Sequence, residues 1–190
     1  MCSSDLNAYW VTNGSATITS GNITGLSSYS AKTVTLNLAS FSIASTTNGA
    51  DATDYVRLGV SVDGGATFSD EIEVNGGTLG NAHWGFASGT GVATVTYDGN
   101  NAATVFAPAG GGARTTDGYS LLQLNLPSSV TQLIVRISML NSSANEGWIV
   151  DDLNIYSDLG AITWAWASTP AGFSSTSQNP TSVAVSASTT

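Results

Sequence analysis

Residues 55–68 read Tyr-Val-Arg-Leu-Gly-Val-Ser-Val-Asp-Gly-Gly-Ala-Thr-Phe, and this stretch decides the fold class. Its apolar residues recur at every second position: Val56, Leu58, Val60 and Val62. That period is typical of a β-strand with one buried face. The Asp-Gly-Gly step that follows supplies the residues that tight hairpin turns prefer. The stretch therefore predicts a strand that ends in a hairpin.

The same alternation continues through the rest of the chain. Further apolar rows are Val34-Leu36-Leu38, Leu122-Leu124-Leu126, Leu133-Val135-Ile137 and Ile149-Leu153-Ile155. We expect these rows to be buried and Arg57, Gln123 and Arg136 to face outward. No segment has a convincing helical period, and the strands are separated by turns and long polar loops. The pattern predicts an all-β antiparallel β-sandwich of the jelly-roll type (galactose-binding-like or concanavalin-like), with a barrel as the alternative.

The composition excludes two classes of partner. The chain has 190 residues, of which 42% are hydrophobic and 9% charged, with 4 basic and 13 acidic side chains. The net charge of −9 argues against binding of nucleic acid through a basic surface. No apolar run approaches the roughly 18–20 residues that span a bilayer, so membrane insertion is not expected.

The two ends differ from the middle of the chain. Residues 1–6, Met-Cys-Ser-Ser-Asp-Leu, resemble the in-frame translation of a common sequencing-adapter tail, and we expect them to be foreign to the protein. Cys2 would then be foreign too, which removes disulfides, thiolate metal sites and a cysteine nucleophile. Residues 7–158 form the expected sandwich module. Residues 159–190 are expected to be a linker and the truncated start of an Ig-like or PKD-like domain.

Asp151 lies in the most specific motif, residues 146–155. Strand alternation places its carboxylate in the apolar row of Ile149 and Leu153. Such a carboxylate must be paired, metal-bound or near the end of the strand, because burying it alone costs several kcal/mol. Two alternatives remain open: a cation, or hydrogen bonds from loop backbone or an arginine. The expected cation is a structural calcium ion, with Asp152 and Asp54 as candidate ligands beside Asp151.

Long polar loops between the strands are the candidate ligand-binding regions, because loops on a rigid sandwich often carry function. The candidate ligand-binding residues are Trp84, Asp98, Asn100, Arg114, Asp117 and Tyr119. The loops match neither an EF-hand nor a phosphate-binding loop, and an internally packed Ω-loop is the alternative.

Catalysis is not expected from this sequence. His83 is the single histidine and has no recognisable nucleophile or second metal ligand near it. Six acidic residues could in principle supply a glycosidase pair. Their positions at hairpin ends favour a solvated face instead: Asp51, Asp54, Asp63, Asp70, Glu71 and Glu73.

Two motifs resemble known families. Residues 61–68 resemble the Asp-box of sialidases, which in that family is a structural hairpin turn. The chain has one copy and three arginines, so the resemblance implies the hairpin and not the enzyme. Residues 146–155 resemble the W-x-I-D-D-I closing strand of MAM-like jelly-roll modules in secreted proteins. In those modules the first Asp often helps to hold a structural cation.

Together with residues 54–57 and 114–119, these motifs resemble a non-catalytic jelly-roll module of large secreted proteins in Gram-negative bacteria that use type IX export. The resemblance implies an extracellular or cell-surface accessory module within a multidomain protein. Its expected partners are a polysaccharide or another surface ligand, as in adhesion, and neighbouring domains of the same chain. The alternatives are a calcium-stabilised structural spacer and a fragment of a secreted hydrolase.

Overall fold

The computed structural model describes residues 8–43, 48–78, 80–109, 117–159, 166–167 and 174–175. The contacts divide the chain into two units, residues 1–158 and 159–190. Ten strands begin in the first unit: β1 (Tyr9–Val11), β2 (Gly14–Thr19), β3 (Tyr29–Ser42), β4 (Tyr55–Ser61), β5 (Ser69–Asn75), β6 (Gly91–Thr96), β7 (Thr104–Phe106), β8 (Tyr119–Leu126), β9 (Ile134–Asn141) and β10 (Glu146–Leu159). A short 3₁₀ turn, Leu26–Ser28, precedes β3. Among the described residues there is no helix of the length and hydropathy that crossing a bilayer requires.

These strands form two five-stranded sheets around one core, which confirms the predicted β-sandwich. Sheet I has the order β1-β10-β3-β8-β6, and sheet II has the order β2-β9-β4-β5-β7. The sheets are mixed and not purely antiparallel, because β6 pairs with β8 and β5 pairs with β7 in parallel. Between β6 and β8 the chain crosses to sheet II to form β7 and then returns, a crossover that allows the two flanking strands to run in the same direction.

Most of the predicted core rows are confirmed. Every residue of the rows predicted for β3, β4, β8 and β9 is buried, with one exception. Val62, just beyond β4, is partly exposed. Arg57 and Arg136 are not fully buried, as predicted, and both extend across the sheet to acidic partners. Arg57 Nε lies 2.6 Å from Glu73 Oε2, and Arg136 Nη2 lies 2.8 Å from Asp70 Oδ1.

The predicted row on the closing strand is wrong in its first half. Trp148 and Val150 face the core, whereas Ile149 is only partly buried. Further along, Leu153 packs against the core as predicted. The alternation changes between Val150 and Leu153, where Asp152 has a left-handed backbone with φ of 48°. A residue in this conformation interrupts the pleat, and the following side chains change faces.

The hairpin predicted at residues 61–68 has Asp63 as its centre. Asp63 Oδ1 accepts a hydrogen bond from the Ser61 hydroxyl (2.7 Å) and from the Thr67 N–H (3.0 Å). Asp63 Oδ2 accepts the Thr67 hydroxyl at 2.6 Å. The Ser61 and Thr67 donors hold the pKa of Asp63 well below its usual range. The acidic residue is therefore a turn cap.

The second unit contributes one described strand pair. β11 (Trp166–Ala167) pairs with β12 (Ser174–Ser175) in antiparallel register. Apart from this pair, residues 160–190 lie outside the described residues, as do residues 1–6, so the expected Ig-like or PKD-like start stays a prediction.

Candidate functional site

The outer face of sheet I carries an exposed aromatic cluster. Trp10 on β1 pairs with Ile149 on β10, while their neighbours Val11 and Trp148 point into the core. Strand alternation therefore directs Trp10 toward solvent, and 61% of it is exposed. The Phe41 ring lies 6.0 Å from the Trp10 ring, tilted by 51°. Trp10 therefore presents an exposed ring, and the partly buried ring of Phe41 lies tilted beside it.

Amide and hydroxyl side chains continue this face across β3 and β8. The Asn37 amide donates to Asp152 Oδ2 at 2.9 Å, which links β3 to β10. On the neighbouring strand, Asn125 Oδ1 accepts the Thr33 hydroxyl at 3.2 Å and the Gln123 amide at 3.3 Å. We call the following set the aromatic–polar face: Trp10, Thr33, Asn37, Phe41, Gln123, Asn125 and Ile149.

The face carries no exposed basic side chain. Lys32 is the only basic residue in the five strands of sheet I, and it is buried. Its ammonium group donates to the Ser128 carbonyl at 3.0 Å at the end of the sandwich. A negatively charged ligand would therefore find no cationic partner on these strands, whereas a neutral polyhydroxylated ligand would find several hydrogen-bonding groups.

The three predicted metal ligands lie in different environments. Asp151 is partly buried, and its Oδ1 accepts the N–H of Asp152 at 2.8 Å. Asp152 is exposed and bonded to Asn37. Asp54 is fully buried just before β4, where its two oxygens accept the N–H groups of Ser142 (2.7 Å) and Asp51 (3.1 Å). Within the described residues, no group of three or more His, Cys, Asp or Glu side chains is arranged to hold a metal ion.

The calcium hypothesis for Asp151 has a direct test. If calcium binds there, chelator will lower the unfolding temperature of the wild type but hardly that of Asp151→Asn, which will already be less stable. Differential scanning calorimetry with and without chelator measures both effects. Identical wild-type unfolding curves in the two conditions would instead assign the carboxylate to the hydrogen-bonded alternative.

The predicted ligand residue Trp84 is a core residue, and this corrects its assignment to an exposed binding surface. It is 1% exposed, its ring packs edge-on against Trp148 at 5.6 Å, and its indole N–H donates to the Tyr119 carbonyl at 3.2 Å. Tyr119 is itself half-buried, with its ring 5.3 Å from that of Phe106. Neither ring face is positioned as an open platform.

Asp98 and Asn100 lie together in an exposed loop whose polar groups are used locally. Asp98 accepts the backbone N–H of Asn100 at 3.0 Å and its side-chain amide at 2.7 Å. The loop is anchored from below by the buried Glu71, which accepts the N–H groups of Asp98 (3.3 Å) and Gly99 (3.2 Å). These bonds favour the predicted alternative of an internally packed loop.

The remaining predicted ligand residues, Asp117 and Arg114, add little to a binding site. Asp117 Oδ2 accepts the N–H of Ala109 at 2.6 Å. Arg114 lies outside the described residues. The structure thus brings Asp98 together with Asn100, but it does not bring either to Trp84.

A buried pair of carboxyl groups, Asp54 and Glu146, was missed by sequence reasoning. The two groups are hydrogen-bonded to each other, and Glu146 Oε2 also accepts the N–H of Gly49 at 2.9 Å. Burial, and then the negative charge of Asp54, raise the pKa of Glu146 to about 7. The expectation that the acidic cluster is a solvated face is wrong for Asp54 and Glu71, because both are buried and accept backbone N–H bonds.

Comparison with known proteins does not indicate a function for this chain. No family model, curated protein or solved structure matches the chain. The aromatic–polar face is therefore judged by its chemistry alone.

Proposed function

We propose that the protein is an extracellular accessory module of the jelly-roll type that binds a neutral polysaccharide or surface glycan on the aromatic–polar face. The observation that carries this proposal is the exposed Trp10 ring beside Phe41, on the same face of sheet I as the hydrogen-bonded amides of Asn37, Gln123 and Asn125. The apolar faces of sugar rings pack on exposed aromatic rings, and sugar hydroxyl groups bond to amides and carboxylates.

The position of the rings supports a ligand that extends across the strands. Neighbouring strands lie about 4.8 Å apart, so the five strands of sheet I span roughly 20 Å from β1 to β6. Trp10 is at one edge of this span, and Gln123 is near the other. A chain of sugars fits such a surface better than a single sugar, which would contact the rings or the amides but not both.

The strands of sheet I carry no exposed basic side chain, and this favours neutral glycans over anionic ones. Without an arginine or lysine, the face offers no charge-assisted bond to a carboxylate or sulfate group. The net charge of −9 also repels anionic polymers at moderate salt concentration. The proposed ligand is therefore uncharged.

Replacing Trp10 by alanine is expected to weaken glycan binding about tenfold or more, because it removes most of the stacking surface. Affinity electrophoresis in gels that contain a soluble β-glucan, xylan or mannan measures the change. The matched control is Phe86→Ala, which removes another exposed aromatic ring that lies outside the face.

Equal binding by the Trp10 and Phe86 variants would contradict this site. Preferential binding of alginate or pectin would contradict the neutral ligand. No retardation with any glycan would favour the structural spacer, an alternative that the internally bonded loop of Asp98 and Asn100 also supports.

A further inference from the structure

A second exposed aromatic ring belongs to the outer side of sheet I. Tyr156, near the end of β10, is 58% exposed, a fraction close to the 61% of Trp10. Sequence reasoning did not include it among the ligand-binding residues, and it lies outside the set that defines the aromatic–polar face. A single exposed tyrosine is ordinary. Its direction and its distance from Trp10 decide whether it belongs to the same surface.

The direction of the Tyr156 side chain follows from its neighbours on β10. Leu153 and Ile155 pack against the core of the sandwich. Because successive side chains of a strand point to opposite faces, Asn154 and Tyr156 point to the outer face of sheet I. This is the face that carries Trp10.

Two contacts between β10 and β3 fix the position of Tyr156 along the sheet. The Asn37 amide donates to Asp152 Oδ2 at 2.9 Å, and the Ser30 hydroxyl donates to the Asp158 carbonyl at 3.5 Å. Tyr156 lies between these two contacts on β10. Its ring is therefore beside β3, within the sheet and not beyond its end.

The distance between the two exposed rings is set by β10. Trp10 pairs with Ile149, and Tyr156 follows Ile149 by seven residues along the strand. At about 3.3 Å per residue, with a bend at Asp152, the two rings are roughly 20 Å apart. A disaccharide is too short to contact both rings, whereas a chain of several sugars can.

We propose that Tyr156 is a second sugar-stacking residue, and that the ligand is a linear neutral polysaccharide that lies along β10 from Trp10 to Tyr156. This inference rests on the proposed glycan-binding function and narrows the ligand to chains of several consecutive sugars. Between the two rings, Asn37, Asp152 and Asn154 supply amide and carboxylate groups that can bond to sugar hydroxyl groups. The amides of β8 lie beside this path, on the far side of β3.

The dependence of affinity on oligosaccharide length tests the proposal on the full chain. The probes are cello-, xylo- and manno-oligosaccharides from the disaccharide to the octasaccharide, measured by isothermal titration calorimetry. In the series that binds, we expect the octasaccharide to bind at least about tenfold more tightly than the disaccharide, because only the longer chain reaches both rings.

Variants at Tyr156 separate the second ring from the first. Tyr156→Ala is expected to weaken octasaccharide binding about three- to tenfold and to leave disaccharide binding unchanged. Tyr156→Phe keeps the ring and should bind the octasaccharide as the wild type does. Trp10→Ala should weaken binding of both probes. Phe86→Ala, which removes an exposed ring elsewhere, is the control.

Failure of this inference differs from failure of the proposed function. If Trp10→Ala weakens octasaccharide binding and Tyr156→Ala does not, the second stacking residue is wrong and the glycan site at Trp10 stands. A disaccharide that binds as tightly as the octasaccharide would contradict the extended ligand in the same way. An equal loss in Tyr156→Phe and Tyr156→Ala would assign the contact to the hydroxyl group and not to the ring. If no oligosaccharide of any length binds, both proposals are wrong.

Discussion

Replacing Trp148 by alanine is expected to lower the free energy of unfolding by about 3–5 kcal/mol, the range for removing a large aromatic ring from a packed core. Trp148 is 0% exposed, and its ring packs against Trp84 at 5.6 Å. Its indole N–H donates to the Leu140 carbonyl at 3.0 Å, so alanine would also remove this donor from a partly buried carbonyl. Urea unfolding followed by far-UV circular dichroism measures the loss.

A loss of this size is a large part of the free energy of unfolding of an ordinary domain. A second, less destabilising substitution at the same position is therefore needed. Trp148→Phe keeps an aromatic ring but loses the N–H bond, and we expect a loss of about 1–2 kcal/mol. The control is Tyr156→Ala on the same strand, which removes an exposed ring and should stay within about 0.5 kcal/mol of the wild type. Equal losses for Trp148→Phe and Tyr156→Ala would contradict the placement of Trp148 in the core.

Trp148 also shows where sequence reasoning reaches its limit. The rows on β4 and β8 could be predicted because strict alternation leaves one register, and Leu58 and Leu124 are indeed buried. On β10 the alternation is interrupted by the left-handed residue Asp152, and side chains on either side of it follow different parities. Strict alternation counted back from Leu153 therefore predicts that Ile149 lies in the core row, whereas in the structure its neighbour Trp148 does. Two adjacent aspartates signal a possible irregularity, but they do not specify a backbone angle.

The candidate site was harder to predict than the core rows, because it depends on pairing between strands that are distant in the sequence. The exposure of Trp10 follows from the pairing of β1 with β10, which joins the two ends of the first unit. Nothing local to residues 9–11 indicates which face is covered. Trp84 was misplaced for the same reason, since an aromatic residue in a polar loop looks exposed until its partner Trp148 is known.

Glu146 provides the clearest example of a property created by tertiary contact. Its carboxyl group meets that of Asp54, from a distant part of the chain, and neither position carries a local signal of burial. Among the described residues, the groups that act on the Glu146 carboxyl are Asp54, Asp51 and the Gly49 N–H. Burial raises its pKa, Asp54 raises it further, and the Gly49 N–H acts in the opposite direction.

Stability is therefore expected to fall as the pH rises through the range of Glu146. In the folded protein its pKa is about 7, against an ordinary value of 4.5, so between these values the folded state binds more protons than the unfolded state. The contribution of the protonated carboxyl is fully present below about pH 4.5 and is lost as the pH rises toward 7. The full shift corresponds to about 3 kcal/mol, and solvent screening of the pair reduces the expected change to about 1–2 kcal/mol.

Glu146→Gln is expected to remove this pH dependence. Glutamine is neutral at every pH; its carbonyl can accept the Gly49 N–H, and its amide can donate to Asp54. At pH 8 the variant should be about 1–2 kcal/mol more stable than the wild type, and below pH 4.5 the two should converge. Urea unfolding at half-unit steps from pH 4 to pH 8 measures both curves. Asp158→Asn removes one charge from an exposed site on the same strand and should keep the wild-type slope. If the stability of Glu146→Gln still falls with rising pH, the titrating group lies elsewhere. If the variant is less stable than the wild type at pH 8, the fold requires the ionised carboxylate, held by the Gly49 N–H.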